Sequence, residues 1–267
     1  LSMYPGTRIY NRIREFGYTV EHTYPYRSLE NPEFSRREFE KVDEISEGID
    51  LVYNRGRMVS VITMLSKGLE MPCHEIILRW NKWIRKQSPE IASADPDEVS
   101  YDELFGHIIE FFCYLFDRFQ KKKLWSAALD LLKHNHFYTS SLMDINDDII
   151  SFPYQISSID KNSVIAMNSS SFFDRFSYNI EDIIETGYID LKKYSSDVDK
   201  ENLFGLVYRL DGAVFTKSIT DEEGAIFTHI RKKESVSIGE LEKKFRNIDV
   251  LGIISDWCEE GVLYISV

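Results

Sequence analysis

Apolar residues recur every three or four positions through most of the first 145 residues, and then the pattern shortens. Ile9, Ile13 and Phe16 share one helical face, with Thr7 placed to cap a helix to about Phe16 and Gly17 to stop it. Tyr18 to Pro32 reads as an aromatic, proline-punctuated connection. Phe39, Val42, Ile45, Ile49 and Val52 mark a long helix. Ser35 caps it, Glu38 completes a capping box, and Gly56 ends it. Val59 to Leu69 and Glu75 to Lys86 follow as helices, and Ile91 to Val99 as a polar loop. Tyr101 to Gln120 is apolar on most sides, which suits the central helix of a bundle, and Leu124 to His134 comes after it.

Past residue 145 the signals turn to short strands. Asp144 to Ser171 mixes Asp, Asn and Ser with β-type runs at Ile149 to Phe152 and Val164 to Met167. Tyr178 to Glu185 predicts a short helix before Gly187. Leu203 to Leu210 and Ala213 to Ile219 read as two strands of a hairpin turning at Asp211-Gly212. Three helices follow, at Asp221 to Arg231, Ser237 to Phe245 and Val250 to Glu259, and Val262 to Val267 closes as a strand. The predicted class is mainly α (α+β): a helical bundle, residues 25–145, then a mixed α/β domain, residues 146–267. The latter ends in a small winged-helix-like α/β module over about residues 203–267.

Composition narrows the functions open to such a fold. Lys and Arg number 32 against 44 Asp and Glu, a net charge of −12 that argues against general binding of nucleic acid or anionic membrane. The richest apolar stretch, Ile108 to Phe119, is short for a membrane span and interrupted by Glu110 and Asp117. Cys73, Cys113 and Cys258 match no zinc, iron–sulfur or disulfide spacing and read as buried free thiols in the reducing compartment of a cytoplasmic protein.

Candidate chemistry is sparse. His134 and His136 stand beside Lys133 and Asn135 and read as a surface helix terminus rather than a metal pair. Cys73-His74-Glu75 reads as a helix start, and Lys121 to Lys123 as a complement to a helix C-terminus. The carboxylate pairs Asp147-Asp148 and Glu259-Glu260 read as solvated. In Asn54-Arg55-Gly56-Arg57, two guanidinium groups flank a helix-ending glycine; a structural salt bridge is the first reading, and Arg55 and Arg57 as contacts to a phosphate or carboxylate the second. A DNA-reading winged helix needs basic residues on its recognition helix. Val250 to Glu259 has none, and the basic cluster Lys243, Lys244 and Arg246 lies on the helix before it.

Leu1-Ser2-Met3-Tyr4-Pro5-Gly6-Thr7 resembles the end of the barrel in radical S-adenosylmethionine (SAM) enzymes of the cobalamin-binding branch, where a late strand runs into Tyr-Pro-Gly-Thr and a helix. Tyr24-Pro25-Tyr26, the helix from Ser35, and Tyr53-Asn54-Arg55-Gly56-Arg57 with Leu65 are similar to the family's C-terminal extension, a domain of unknown function. Phe176-Ser177-Tyr178-Asn179-Ile180 resembles a later Phe-x-Tyr-Asp motif, with Asn179 where Asp is usual. The likeness spans most of residues 1–190, and the last 60 or so look loosely like winged-helix peptide-recognition modules.

The resemblance implies that residues 1–24 end a barrel and that Tyr4, Pro5, Gly6 and Thr7 rim the active site of a larger parent enzyme. That parent would carry a 4Fe–4S cluster, SAM and cobalamin, and perform methyl transfer or related radical chemistry. The clustered cysteines, SAM-contacting strands and cobalamin domain would lie upstream in the same polypeptide, leaving no catalytic residue, metal or cofactor in this chain. A peptide or protein substrate is its implied partner. On this reading Leu1 to Tyr4 is a severed barrel strand, expected to stay unpaired or to pair outside the chain. The alternative is a standalone peptide- or protein-binding module or regulator, since an exposed hairpin edge accepts an extended peptide by strand addition.

Overall fold

In the computed structural model, residues 2–94, 98–143, 159–185 and 190–266 are described. A two-residue strand β1 (Thr19–Val20) pairs antiparallel with β2 (Ser28–Glu30). Helix α1 (Arg36–Gly48) continues into a π-helical segment, Ile49–Arg55. Then come α2 (Ile62–Leu69), α3 (Cys73–Gln87), α4 (Pro89–Ser93), α5 (Tyr101–Arg118) and α6 (Trp125–Met143). The second half runs β3 (Val164–Met167), β4 (Phe172–Arg175), α7 (Ile180–Glu185), α8 (Leu191–Asp197), β5 (Phe204–Leu210) and β6 (Ala213–Ile219). It closes with α9 (Asp221–Lys233), β7 (Ser235–Ser237), α10 (Ile238–Lys244), α11 (Val250–Glu259) and β8 (Leu263–Ser266). The protein is thus mainly α with small antiparallel sheets. The run Ile149 to Phe152, the pair Asp147-Asp148 and Gly187 lie outside the described residues.

Two compact units share the chain: Leu1–Gly56 with Met71–Phe111, and Arg57–Glu70 with Phe112–Val267. In the first, Glu38 accepts from the Ser35 backbone N–H at 2.8 Å, which fixes the start of α1. Gly48 lets α1 approach α3, because a Cβ there would lie 2.5 Å from Ile77 and 2.6 Å from Asn81. Trp80, fully buried, stacks on Trp83 and meets Phe111 edge-on at 5.3 Å. The helix expected over Thr7 to Phe16 shrinks to one 3₁₀ turn, Tyr10–Arg12, because Ile9 and Phe16 stay exposed and no packed face supports so short a helix. The segment at Ser2 is not unpaired: Ser2 bridges Arg27, Met3 N–H donates to Tyr26 O at 2.8 Å, and Met3 is buried. The polar loop expected at Ile91 begins instead within α4, where Pro89 suits the first helical turn.

In the second unit, sheet β7-β3-β8 carries α9, α10 and α11, and sheet β4-β5-β6 holds the predicted hairpin. The hairpin does not pair with the closing strand; β3, far upstream in sequence, sits between β7 and β8. One core joins both sheets through Ile165, Phe173, Leu206, Tyr208, Ile226 and Ile254. The two edges of β4-β5-β6 differ. Phe173 and Arg175 turn their outer carbonyls away from β5, and these accept from Arg231 (2.7 Å) and Lys133 (3.1 Å). On β6 the outward row is Val214, Thr216 and Ser218, of which Ser218 N–H donates to Glu181 at 2.8 Å. The backbone groups of Val214 and Thr216 have no partner among the described residues.

Candidate functional site: the polar residues of a buried helix

Nothing between Trp125 and Met143 breaks a helix, and Ala127, Ala128, Leu131 and Leu132 give α6 strong helix formers and a buried surface. The same helix buries Asp130, His134, Asn135, His136 and Ser141. Polar groups in such a place must find partners or change charge state.

Asp130 accepts from the Tyr178 N–H at 2.9 Å, with the Ser177 N–H beside it. Burial pushes its carboxyl up to about 7, outweighing those donors and the fields of Lys133 and Lys200. Both lysines are engaged elsewhere: Lys133 with Asp174 at 2.7 Å, and Lys200 with Ser126 at 2.8 Å and over the Tyr178 ring. Tyr194 packs on Tyr178 at 5.0 Å, and burial together with Asp130 makes its hydroxyl harder to ionise. One turn along, His134 Nε2 lies 3.2 Å from the Thr216 hydroxyl, and burial lowers its ring to about 4, so it is neutral near pH 7. Asn135 donates to Arg57 O at 3.0 Å and accepts from Ser60 at 2.9 Å. The Arg57 guanidinium donates to Thr139 O at 3.3 Å. Phe137 stacks on Phe172 and meets Phe176 edge-on. Helix α6 therefore holds both the Arg57 segment and the Phe176–Asn179 segment.

His134 and His136 are buried in mid-helix, not at a surface terminus: α6 runs nine residues beyond His134, to Met143. The run Lys133-His134-Asn135-His136 looked like a polar end because the sequence does not reveal Thr216 and Arg57 as its partners. Glu260 is not simply solvated either. Tyr208 donates to it, and so does Lys217 at 2.5 Å, with Lys217 lying over the Trp257 ring. Trp257 donates to Glu223 at 2.7 Å.

The remaining candidates sit apart. Arg55 lines a cavity of about 370 Å³ in the first unit with Ser46, Asp50, Asn81 and Arg85, the last ion-paired with Glu47 at 2.7 Å. Tyr4 to Thr7 form a tight turn in which the Thr7 hydroxyl donates to Tyr4 O at 2.7 Å and Gly6 takes φ +87°. Thr7 also accepts from Tyr10 N–H at 3.3 Å, but the residue before the surviving turn is Ile9, not Thr7, and it makes no side-chain cap. Cys73-His74-Glu75 starts α3, where Glu75 pairs with Arg79 at 2.6 Å. Lys121 pairs with Glu70 at 3.1 Å and Lys122 with Asp117 at 2.6 Å. Lys161, Lys243 and Arg246 border a cavity of about 730 Å³, but Glu240 and Glu242 alternate with them and Lys161 is bound to Glu242 at 2.9 Å.

Of the three thiols expected to be buried only Cys258 is, its thiol raised to about 11 by burial; Cys73 is half-buried and Cys113 exposed. Among the described residues no three His, Cys, Asp or Glu side chains are grouped to hold a metal ion. Nor, among them, is any helix long and apolar enough to cross a membrane. Asp130 and the Tyr208–Lys217–Glu260 group escaped sequence reasoning. The one available signal was a lone carboxylate inside Ala127-Ala128-Leu129-Asp130-Leu131-Leu132. Scanned against models of known protein families the chain matches none, and a search of curated proteins returns no match.

Proposed function

We propose that this chain is the C-terminal accessory and substrate-docking region of a cobalamin-dependent radical SAM enzyme, and that the 4Fe–4S cluster, SAM and cobalamin belong to other parts of the parent. The sequence resemblance is its basis; the pairing of Ser2 and Met3 with Arg27 and Tyr26 within the chain runs against its severed-strand expectation. One observation supports the accessory role: two segments that carry the resemblance, at Arg57 and at Phe176–Asn179, are hydrogen-bonded to a single buried helix through Asn135 and Asp130. That arrangement suits residues that build a scaffold. Among the described residues no three His, Cys, Asp or Glu side chains are grouped as a ligand set for a cluster. Anaerobic purification of the parent, with intact mass and iron, sulfide and cobalt analysis, tests the reading. About four irons and one corrinoid on a longer polypeptide are expected; a protein of this chain's mass without them would remove it.

A second reading, a peptide- or protein-binding module of winged-helix type, is favoured by a specific observation. Three helices lie on the sheet β7-β3-β8, and the neighbouring sheet closes one edge with side chains, whereas on the other the backbone groups of Val214 and Thr216 have no partner among the described residues. Hydrogen exchange of the protein with and without a peptide library tests it: protection of a defined segment of the second unit is expected, and no protection anywhere would count against it.

A further inference from the structure

We infer that β6 is the docking edge for an extended basic peptide, an inference that rests on the peptide-binding reading above. The strand has seven residues paired in register with β5 over its whole length, without bulge or proline. Strands of this kind recruit further strands unless they are blunted. The opposite edge, β4, is blunted by Arg231 and Lys133, and Arg175 N–H is turned onto Asp174 at 2.8 Å. The one lysine on β6 does no such work, because Lys217 is bound to Glu260 and lies over Trp257.

An incoming strand would find the outward N–H and C=O groups of Val214 and Thr216. Beside them, Phe215 is 41% exposed and stacked on Tyr208 at 5.6 Å, a fixed apolar platform. Charge selects the occupant. The end of β6 is flanked by Glu181, which accepts from Ser218, and by Glu222 at the start of α9, whereas Asp221 is taken up by Arg175 of β4 at 2.8 Å; its other end is the Asp211 turn. A second copy would bring the same carboxylates and its own net charge of −12, so self-pairing is opposed. A peptide with an apolar residue beside Phe215 and Lys or Arg beside Glu181 answers both features.

The probe is a synthetic peptide of about seven residues, alternating Val and Thr and ending in two lysines, labelled for fluorescence anisotropy. Val214→Pro deletes an outward N–H and leaves the bonds to β5 in place, which an edge strand tolerates. Glu181→Gln keeps an oxygen for Ser218 and removes the charge. Binding is expected to fall at least about tenfold in Val214→Pro, with an unchanged circular dichroism spectrum, and several-fold in Glu181→Gln, a loss that added salt reproduces in the wild type. The same peptide ending in glutamates is expected not to bind. Equal binding by Val214→Pro, or by the acidic peptide, overturns the inference while the peptide-binding reading stands. No binding of either peptide removes both, and self-association that Val214→Pro abolishes assigns the edge to a second copy instead.

Discussion

Asp130 and His134 show how burial rewrites an ionisable side chain. For Asp130 the folded value of about 7 lies above the unfolded value near 3.9, so the folded chain binds the extra proton between them. Its contribution to stability therefore falls as pH rises through that window. His134 has the opposite sign: its folded value of about 4 lies below the unfolded value near 6.5, so stability is lost as pH falls through that range. Asp130→Asn removes only the first slope. Its unfolding free energy, measured by chemical denaturation, is expected to gain on the wild type by about 2–3 kcal/mol between about pH 5 and about pH 8. An equal difference at both pH values would show that the carboxyl is ionised throughout. These two residues illustrate what a sequence withholds. The same letters on a solvated helix would titrate normally, and what alters them is burial, completed by segments such as those of Tyr178 and Thr216, some 48 and 82 residues away in sequence.

Elements were more legible than residues where the signal was local. Ser35 with Glu38, the Asp211-Gly212 turn and the span of α11 follow from capping, turn chemistry and periodicity, which act over a few residues. The misread end of α6 and the lost helix at Thr7 both depended on partners distant in the chain. So did the place of β3, since register between β3 and β8 is set across about 100 residues. The amphipathic pattern of α1 was real but less buried than it suggested: Val42 and Ile49 are exposed, and the contact with α3 is made at Gly48. Gly48→Ala is expected to destabilise the first unit by about 1–3 kcal/mol through overpacking, seen as a lower thermal midpoint in a tryptophan-fluorescence melt. At the closed sheet edge, Arg231→Ala frees the Phe173 carbonyl. The variant is expected to aggregate faster than wild type in light scattering, with little change in helix content by circular dichroism.

At the scale of the molecule, the fold class was readable and the partition was not. The chain passes between its two units at Gly56–Arg57, Glu70–Met71 and Phe111–Phe112, positions that carry no linker composition. Helix α2 belongs to the later unit, where Gly68 makes room for Leu191, and Glu70 pairs with Lys121 and Lys192. A fragment of residues 112–267 is therefore expected to melt at a lower temperature than the same fragment with Arg57–Glu70 joined to it by a flexible linker. Equal melting would mean that α2 contributes little to that unit.

The one-turn spacing of Asp130 and His134 has a consequence that neither residue has alone. Between about pH 4 and about pH 6.5 the unfolded chain carries a proton on His134 and none on Asp130, whereas the folded chain carries it on Asp130 and not on His134. Folding thus amounts, at these two positions, to a proton transfer from imidazolium to carboxylate. Two formal charges disappear as α6 enters the core, and no proton is exchanged with the solvent. The opposing slopes cancel, and within that window the heat these residues add to folding is independent of the ionisation enthalpy of the buffer.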